Sequence, residues 1–487
     1  MALLLQVHPA SCLRYLNTRL LSRNTQVTSL STQLRRHNTG PRPTISSPVV
    51  AWQKPSNRHL TSSNLLRWGQ GLEEVRWLQL ADSTTVMMEA AHIQGIHHYS
   101  VCLSFTTAKP LPQEDVVRAL THLYWKVPPL RTCLRRRDGQ LWLCEMVTPK
   151  IDFKEVECVD MAKEVTDLLN CVFDNSADGP LWRARLLLGA SDLPGLQDSI
   201  RSSLPYHYHC MISFHHGVVD GMSSHYVFKT LIELLESVIR GTPVDDAEQV
   251  GIMGNDEQTI RLEQEIKEEL QKDPQRLNML VEQLSSSNFV PLLTQAVGDP
   301  SDRELCTRHL VSNLKPSAME KFVKACKSNG VSVYSGLTAV INTAIVEVAR
   351  EAGLKRDSYS VTSSHAVNLR QYWELDEPDP NWVFGCHAHR FSYTSEVPYN
   401  NQQIFWDYVK QTNKEMKKMI QNKEVLIQKV VSDLVHGKDF DYEALFATPL
   451  PVTGDYFLTY PYSPYTHLGA EEHLQFNQLT PFRFVHK

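Results

Sequence analysis

No acidic residue occurs before Glu73. At the chain-wide rate of 54 Asp and Glu in 487 residues, about eight would be expected in that stretch. The same 72 residues hold eight arginines and a single lysine, Lys54, among many Ser, Thr and Asn. Leu3, Leu4, Leu5, Val7, Leu13, Leu16, Leu20 and Leu21 are interleaved with Arg14 and Arg19, so there is no continuous apolar segment of the kind a secretory signal needs. An Arg-rich, acid-poor, roughly amphipathic start is the pattern of a mitochondrial transit peptide. A basic extension with no targeting role, leaving the protein cytoplasmic, is the alternative. Either way, residues 1–67 are expected to be disordered and separate from the folded body.

Other absences exclude whole classes of function. None of the ten cysteines (12, 102, 133, 144, 158, 171, 210, 306, 326 and 386) forms a CxxC pair, so mostly buried, reduced thiols are expected rather than a disulfide framework or a zinc ribbon. No apolar run approaches the ~20 residues that span a bilayer, and no transmembrane segment is expected. The formal charge is −5 and the body carries no long basic stripe, so nothing points to nucleic acid. "GCHAHRF" (385–391) puts His387 and His389 on one face of a strand and Cys386 on the other. Two imidazoles with no third ligand nearby do not make a metal site, and none is expected.

From about Trp68 the text turns globular. Strands are read at 97–105, 139–147, 180–189 and 208–216, and helices at 113–127, 164–174 and 223–241, the last closed by Gly241. Residues 246–300 are charged, broken near Pro274, and read as a solvated helical connector. Strands then follow at 305–313, 358–370, 383–394 and 455–462, with helices at 316–330, 333–353 and 404–420. The plan is an N-terminal lobe (68–245), the connector (246–300) and a C-terminal lobe (301–487). Strands and helices alternate on no regular βαβ schedule, which implies an α/β fold with mixed sheets, or an α+β sandwich.

What is present in the body is concentrated at "SFHHGVVDG" (213–221). An apolar strand ends in two imidazoles, a carboxylate and two glycines. A neutral imidazole titrates near working pH and can take a proton from a hydroxyl or amine as it attacks an acyl carbon. Alternation along the strand turns His215 and His216 to opposite sides, so only one can face a given cleft. Gly217 and Gly221 leave room for backbone or substrate to approach. The chain contains its own control, His97-His98, which lacks the aspartate and glycines and reads as structural.

"HHGVVDG" fits HHxxxDG and resembles the CoA-dependent acyltransferase superfamily, which includes chloramphenicol acetyltransferase, condensation domains of peptide synthetases and alcohol acetyltransferases. "VPPLR" (127–131), "FDNSADGPLWRARLL" (173–187) and "NLR" (368–370) resemble segments of that superfamily in the right order. The resemblance implies a two-lobed, chloramphenicol acetyltransferase-like fold with a tunnel between the lobes. It implies His216 as general base, with His215, Asp220, Gly221 and Arg370 structural around it. Asp220 would pair with Arg370, and a bidentate lock is expected.

It further implies acyl-CoA as co-substrate with no bound cofactor, a small alcohol or amine as acceptor, and a monomer. The plant-type DFGWG motif is missing. The late stretch "DYFLTYPYS" (455–463) stands where many relatives carry Asn-Gly, so the oxyanion donor is not named; Thr459 and Ser463 are the hydroxyls it offers. Two alternatives stay open: a condensation-type enzyme drawing acyl groups from a carrier protein in trans, and a non-catalytic binding protein that kept the fold.

Overall fold

The computed structural model describes residues 4–7, 75–95, 98–157, 161–169, 171–173, 179–188, 204–254, 257–285, 290–298, 316–374, 383–399, 404–437, 440–447, 454–459 and 474–483. Most of the 1–67 extension, His97, the strand expected at 305–313 and Ser463 lie outside them. Strand β1 (Leu4–Val7) is followed by β2 (Val75–Leu80) and helix α1 (Ser83–Ile93). Asp82 starts α1 by accepting the Thr85 N–H at 2.6 Å, which satisfies one of the donors a helix leaves unpaired at its N-terminus.

Next come β3 (His98–Thr107), α2 (Gln113–Lys126), β4 (Thr132–Arg137), β5 (Gln140–Met146), β6 (Asp152–Glu157), α3 (Met161–Leu169), β7 (Trp182–Leu188), β8 (Tyr206–His215) and the long α4 (Gly221–Arg240). Helix α2 buries Val116, Ala119, Leu120, Leu123 and Tyr124, a helical stripe facing the first-lobe core. At roughly 1.5–3 kcal/mol per large buried side chain, such stripes hold the lobe together. β3, β8 and β7 run antiparallel side by side, β6 lies parallel to β7, and β2, β5 and β4 form a separate antiparallel sheet.

Two stretches far apart in sequence meet beneath β8. The Trp182 indole N–H of "GPLWR" donates to the Leu130 carbonyl of "PPLR" at 2.9 Å, and Arg131 Nε donates to Glu145 at 2.9 Å. The His215 N–H then donates to the Leu181 carbonyl at 2.8 Å, fixing the strand end that carries the histidines.

The chain continues through β9 (Ile252–Met253), α5 (Glu257–Lys272), α6 (Pro274–Ser285), α7 (Leu292–Val297), α8 (Pro316–Ser328), α9 (Val333–Glu351), β10 (Ser358–Asn368), β11 (Val383–Phe384), β12 (Ala388–Pro398), α10 (Phe405–Gln421), α11 (Glu424–His436), α12 (Tyr442–Phe446), β13 (Tyr456–Thr459) and β14 (Leu474–Arg483). The second-lobe sheet has the order β1-β13-β10-β12, with β13 parallel to β10 and the other two pairings antiparallel. The fold is thus a two-lobed, mixed-sheet α/β structure.

Four features differ from the sequence reading. Residues 4–7, expected to be disordered and separate from the folded body, form β1 and pair antiparallel with β13 in the second-lobe sheet. The connector is more than a solvated link: α5 buries Leu262, Ile266 and Leu270, spaced by four, against second-lobe residues including Val367, Leu369 and Val430. The strand expected over 383–394 is interrupted at 385–387, where Gly385 takes φ +145° and the chain turns toward the first lobe. Finally, β14 falls within the 301–487 segment but pairs with β3, giving the first-lobe sheet the order β14-β3-β8-β7-β6. Cys133 and Cys144 face each other across β4 and β5, yet all seven described cysteines are without disulfides.

Candidate active site

β8 ends at His215 and the turn begins at His216, and the two histidines face different neighbours. His216 is buried, 8% exposed, with its ring stacked on Tyr99 at a centroid distance of 5.3 Å. Its Nδ1 lies 3.0 Å from the carbonyl of Val219 in the same turn. A carbonyl can only accept, so Nδ1 carries the proton and the lone pair of the neutral ring sits on Nε2. The Sγ of Cys386 is 4.0 Å from the same Nδ1.

His215 turns toward α1. Its Nδ1 accepts the Gly217 N–H at 3.1 Å, so the ring proton is on Nε2, which donates to the buried Glu89 carboxylate at 2.9 Å. Thr85, one turn earlier on α1, donates its hydroxyl to the Gly217 carbonyl at 3.1 Å. Gly217 is tightly held: a Cβ there would come within 3.1 Å of the His215 ring and 3.3 Å of the Thr85 methyl. Gly221, by contrast, is exposed, and a Cβ there would meet nothing within 4 Å.

Asp220 and Arg370 come together although 150 residues separate them, at 2.6 Å between Oδ2 and Nη1. Both side chains are nearly inaccessible, at 2% and 1% exposure. The lock is not bidentate. Asp220 Oδ1 is spent on the Ser223 N–H at 2.8 Å, capping α4, and Oδ2 also accepts the His387 N–H at 3.0 Å. The remaining Arg370 donors reach the Val383 carbonyl, from Nε at 2.9 Å and Nη2 at 2.7 Å, and Ser223 Oγ at 3.1 Å. Burial alone would raise the Asp220 carboxyl, but Arg370, His387 and the Ser223 amide outweigh it and bring it down to about 2.

The break at 385–387 is what aims the His387 amide at Asp220. The His387 ring folds back 3.2 Å from the Phe384 carbonyl, into space that a Cβ at Gly385 would fill at 2.4 Å. Burial, with Lys429 and Arg390 nearby, pushes the His389 imidazole down to about 3. Among the described residues no three His, Cys, Asp or Glu side chains gather as metal ligands would. A cavity of about 270 Å³ lies where the halves meet, lined by Asp82, Ser83 and Thr84 from α1 and its cap, Thr259 and Glu263 from α5, and Leu369, Cys386, His387 and Lys429 from the second lobe. Through Cys386 it comes within one side chain of His216.

A model of the alcohol acetyltransferase family matches residues 150–445, a span that includes HHGVVDG and Arg370. The chain belongs to the alcohol acetyltransferase family. This acetyltransferase-family protein is an acyltransferase. It is similar in fold to TRI3 trichothecene 15-O-acetyltransferase from Fusarium sporotrichioides (13% identity over 85% of this chain and 86% of that one, TM-score 0.54). It is also similar to polyketide synthase associated protein 5 from Mycobacterium tuberculosis (11% identity, 84% and 87% covered, TM-score 0.51) and to the epimerization domain of the third module of tyrocidine synthetase B (12% identity, 76% and 77% covered, TM-score 0.51). A comparison with curated proteins finds no match.

Several groups at the site of this family member escape the sequence reading. Tyr99 and Cys386 are placed by tertiary structure alone, and the Val219 carbonyl by the conformation of the turn. Thr85 and Glu89 sit on a helix whose one local sign is Asp82 ahead of "STTVMMEAAHI", a capping residue before a run with little periodicity.

Proposed function

We propose that the protein transfers an acyl group from acyl-CoA to a small alcohol or amine, with His216 as general base. The observation that carries this reading is the His216 tautomer: Nδ1–H held by the Val219 carbonyl, with the basic lone pair on Nε2. In the step proposed, the acceptor's O–H or N–H proton passes to Nε2 as that atom bonds to the thioester carbonyl carbon. The tetrahedral intermediate then collapses, the C–S bond breaks, and the proton passes from Nε2 to the departing thiolate. No covalent acyl-enzyme forms. Asp220 and Arg370 hold the turn and touch neither reactant. The cavity beside Cys386 is taken as part of the substrate-binding space, and the open side of Gly221 leaves the turn approachable.

The test is a panel of acyl-CoAs, followed by free-thiol release with and without candidate alcohols and amines. Release should require an acceptor, and no burst should precede it in the acceptor's absence. A stoichiometric burst of thiol without acceptor would replace direct transfer by an acyl-enzyme. Inertness toward every acyl-CoA, with transfer from an acylated carrier protein, would shift the donor to the carrier.

The acid-free, Arg-rich start belongs to the same reading as a mitochondrial targeting segment. Residues 1–60 fused to a fluorescent protein are expected to direct it to mitochondria. A diffuse cytosolic signal would withdraw the localisation and leave the chemistry untouched.

A further inference from the structure

The geometry points to Glu89 and Thr85 as positioning residues for the catalytic turn: one face of α1 grips both backbone groups of Gly217, the residue next to His216. This rests on the reading of His216 as base and extends it to a helix outside the HHxxxDG motif. The grip has two arms. Glu89, 4% exposed, accepts from Nε2–H of His215, and this keeps the His215 proton off Nδ1. The Nδ1 lone pair can then receive the Gly217 N–H. A carboxylate cannot donate, so it selects this tautomer. The other tautomer would set Nδ1–H against the Gly217 N–H, donor to donor.

The second arm is independent of the first. The single hydroxyl proton of Thr85 is shared between the Gly217 carbonyl and Asp82 Oδ2, each 3.1 Å from Oγ1, and the Thr85 N–H donates to Asp82 Oδ1 at 2.6 Å. Both arms are buried and converge on one residue, holding the peptide units on either side of the Gly217 Cα. The absent side chain of Gly217 lets the His215 ring and the Thr85 methyl close in from either side. The Asp220–Arg370 pair holds the far end of the turn from the second lobe. His216 thus sits between two anchors, and α1 supplies the nearer one. Glu89 and Thr85 act through Gly217 and so set the direction in which the His216 ring is held.

The experiment compares Thr85→Val, Thr85→Ser, Glu89→Leu and Glu89→Gln with wild type and His216→Ala in the full chain. It measures kcat and KM for donor and acceptor, and the melting midpoint. Thr85→Val keeps the side chain's shape and removes only the hydroxyl. It should lower kcat by ~10-fold or more, because small misplacements of a catalytic group are costly. KM should stay within about three-fold, since what is lost is transition-state alignment rather than uniform binding. Thr85→Ser, which restores the hydroxyl, should recover kcat to within about two-fold of wild type. Glu89→Leu should behave like Thr85→Val, and Glu89→Gln, whose amide oxygen can still accept from His215, should recover most of the loss.

A purely structural role would lower the melting midpoint and leave kcat per folded molecule unchanged. If His216→Ala is inactive but Thr85→Val and Glu89→Leu keep wild-type kcat, the positioning role is overturned and the base reading stands. Failure of Thr85→Ser to restore kcat would also overturn it. Full turnover in His216→Ala would remove the base itself and the positioning role with it.

Discussion

His216→Ala is expected to lower kcat by ~10²–10⁴, the usual cost of removing a general base. The fold should survive, because the imidazole's hydrogen bond stays within its own turn and its main packing partner is the Tyr99 ring. Losing that stacking should cost about 1 kcal/mol, a melting shift of a few degrees in a chain this long. His215→Ala should show the opposite balance. It leaves the Glu89 carboxylate buried without its imidazole partner and releases the Gly217 N–H, so stability falls first and activity falls less steeply than in His216→Ala. Near-wild-type turnover in purified His216→Ala would count decisively against His216 as base.

The second large effect belongs to Asp220 and Arg370. Arg370→Ala leaves a carboxylate stranded at 2% exposure and takes two donors from the Val383 carbonyl. Breaking such a pair from one side typically costs ~3–5 kcal/mol. Asp220→Asn is the informative partner, since its amide oxygen can still cap α4. In the Asp220→Asn background, Arg370→Ala should cost clearly less than in wild type, because no charge is left stranded. Additive losses in that cycle, measured by denaturant unfolding, would mean that the two side chains do not interact.

The pair also sets an acid limit. A carboxyl held at about 2 in the folded chain, against 3.8 otherwise, contributes about 2 kcal/mol. That contribution is complete above 3.8 and is lost as pH falls toward 2. The removal cost is larger than the protonation cost because protonated Asp220 still fills its place and can keep part of its hydrogen bonding.

Much of this site could be read before any coordinates, though not evenly. His215, His216 and Asp220 lie within six consecutive residues, so local pattern was enough to mark the turn. Arg370 came from resemblance at 150 residues' distance, and its partner was right while its geometry was not. A bidentate lock supposes that both carboxylate oxygens are available, and the need to cap α4 takes one of them. Glu89 left no trace, because an acid pairing with a histidine 126 residues away looks locally like any other acid on a short helix. The break in the 383–394 strand was hidden for a related reason. "VFGCHAHRF" alternates well enough to pass for one strand, and only the demand of Asp220 for the His387 amide explains the interruption. The buried face of α5 was the avoidable error, since Leu262, Ile266 and Leu270 stand at helical spacing in a run that is otherwise charged.

The pairing of β14 with β3 has a bearing on how the molecule is built. Leu474 lies opposite Thr107 and Arg483 opposite Tyr99, so the edge strand of the first-lobe sheet is made only after the rest of the second lobe. Until then, β3 presents an open ladder of amides and carbonyls one strand away from the histidines, an edge prone to pairing with the wrong chain. Closing a ladder across such a sequence separation is also among the slower events in folding. The first lobe is therefore not an autonomous module to which the second was added. Its sheet is finished by a segment that the ribosome delivers late, and a chain halted between β13 and β14 would carry every residue of the HHxxxDG turn on a sheet whose outer strand is missing.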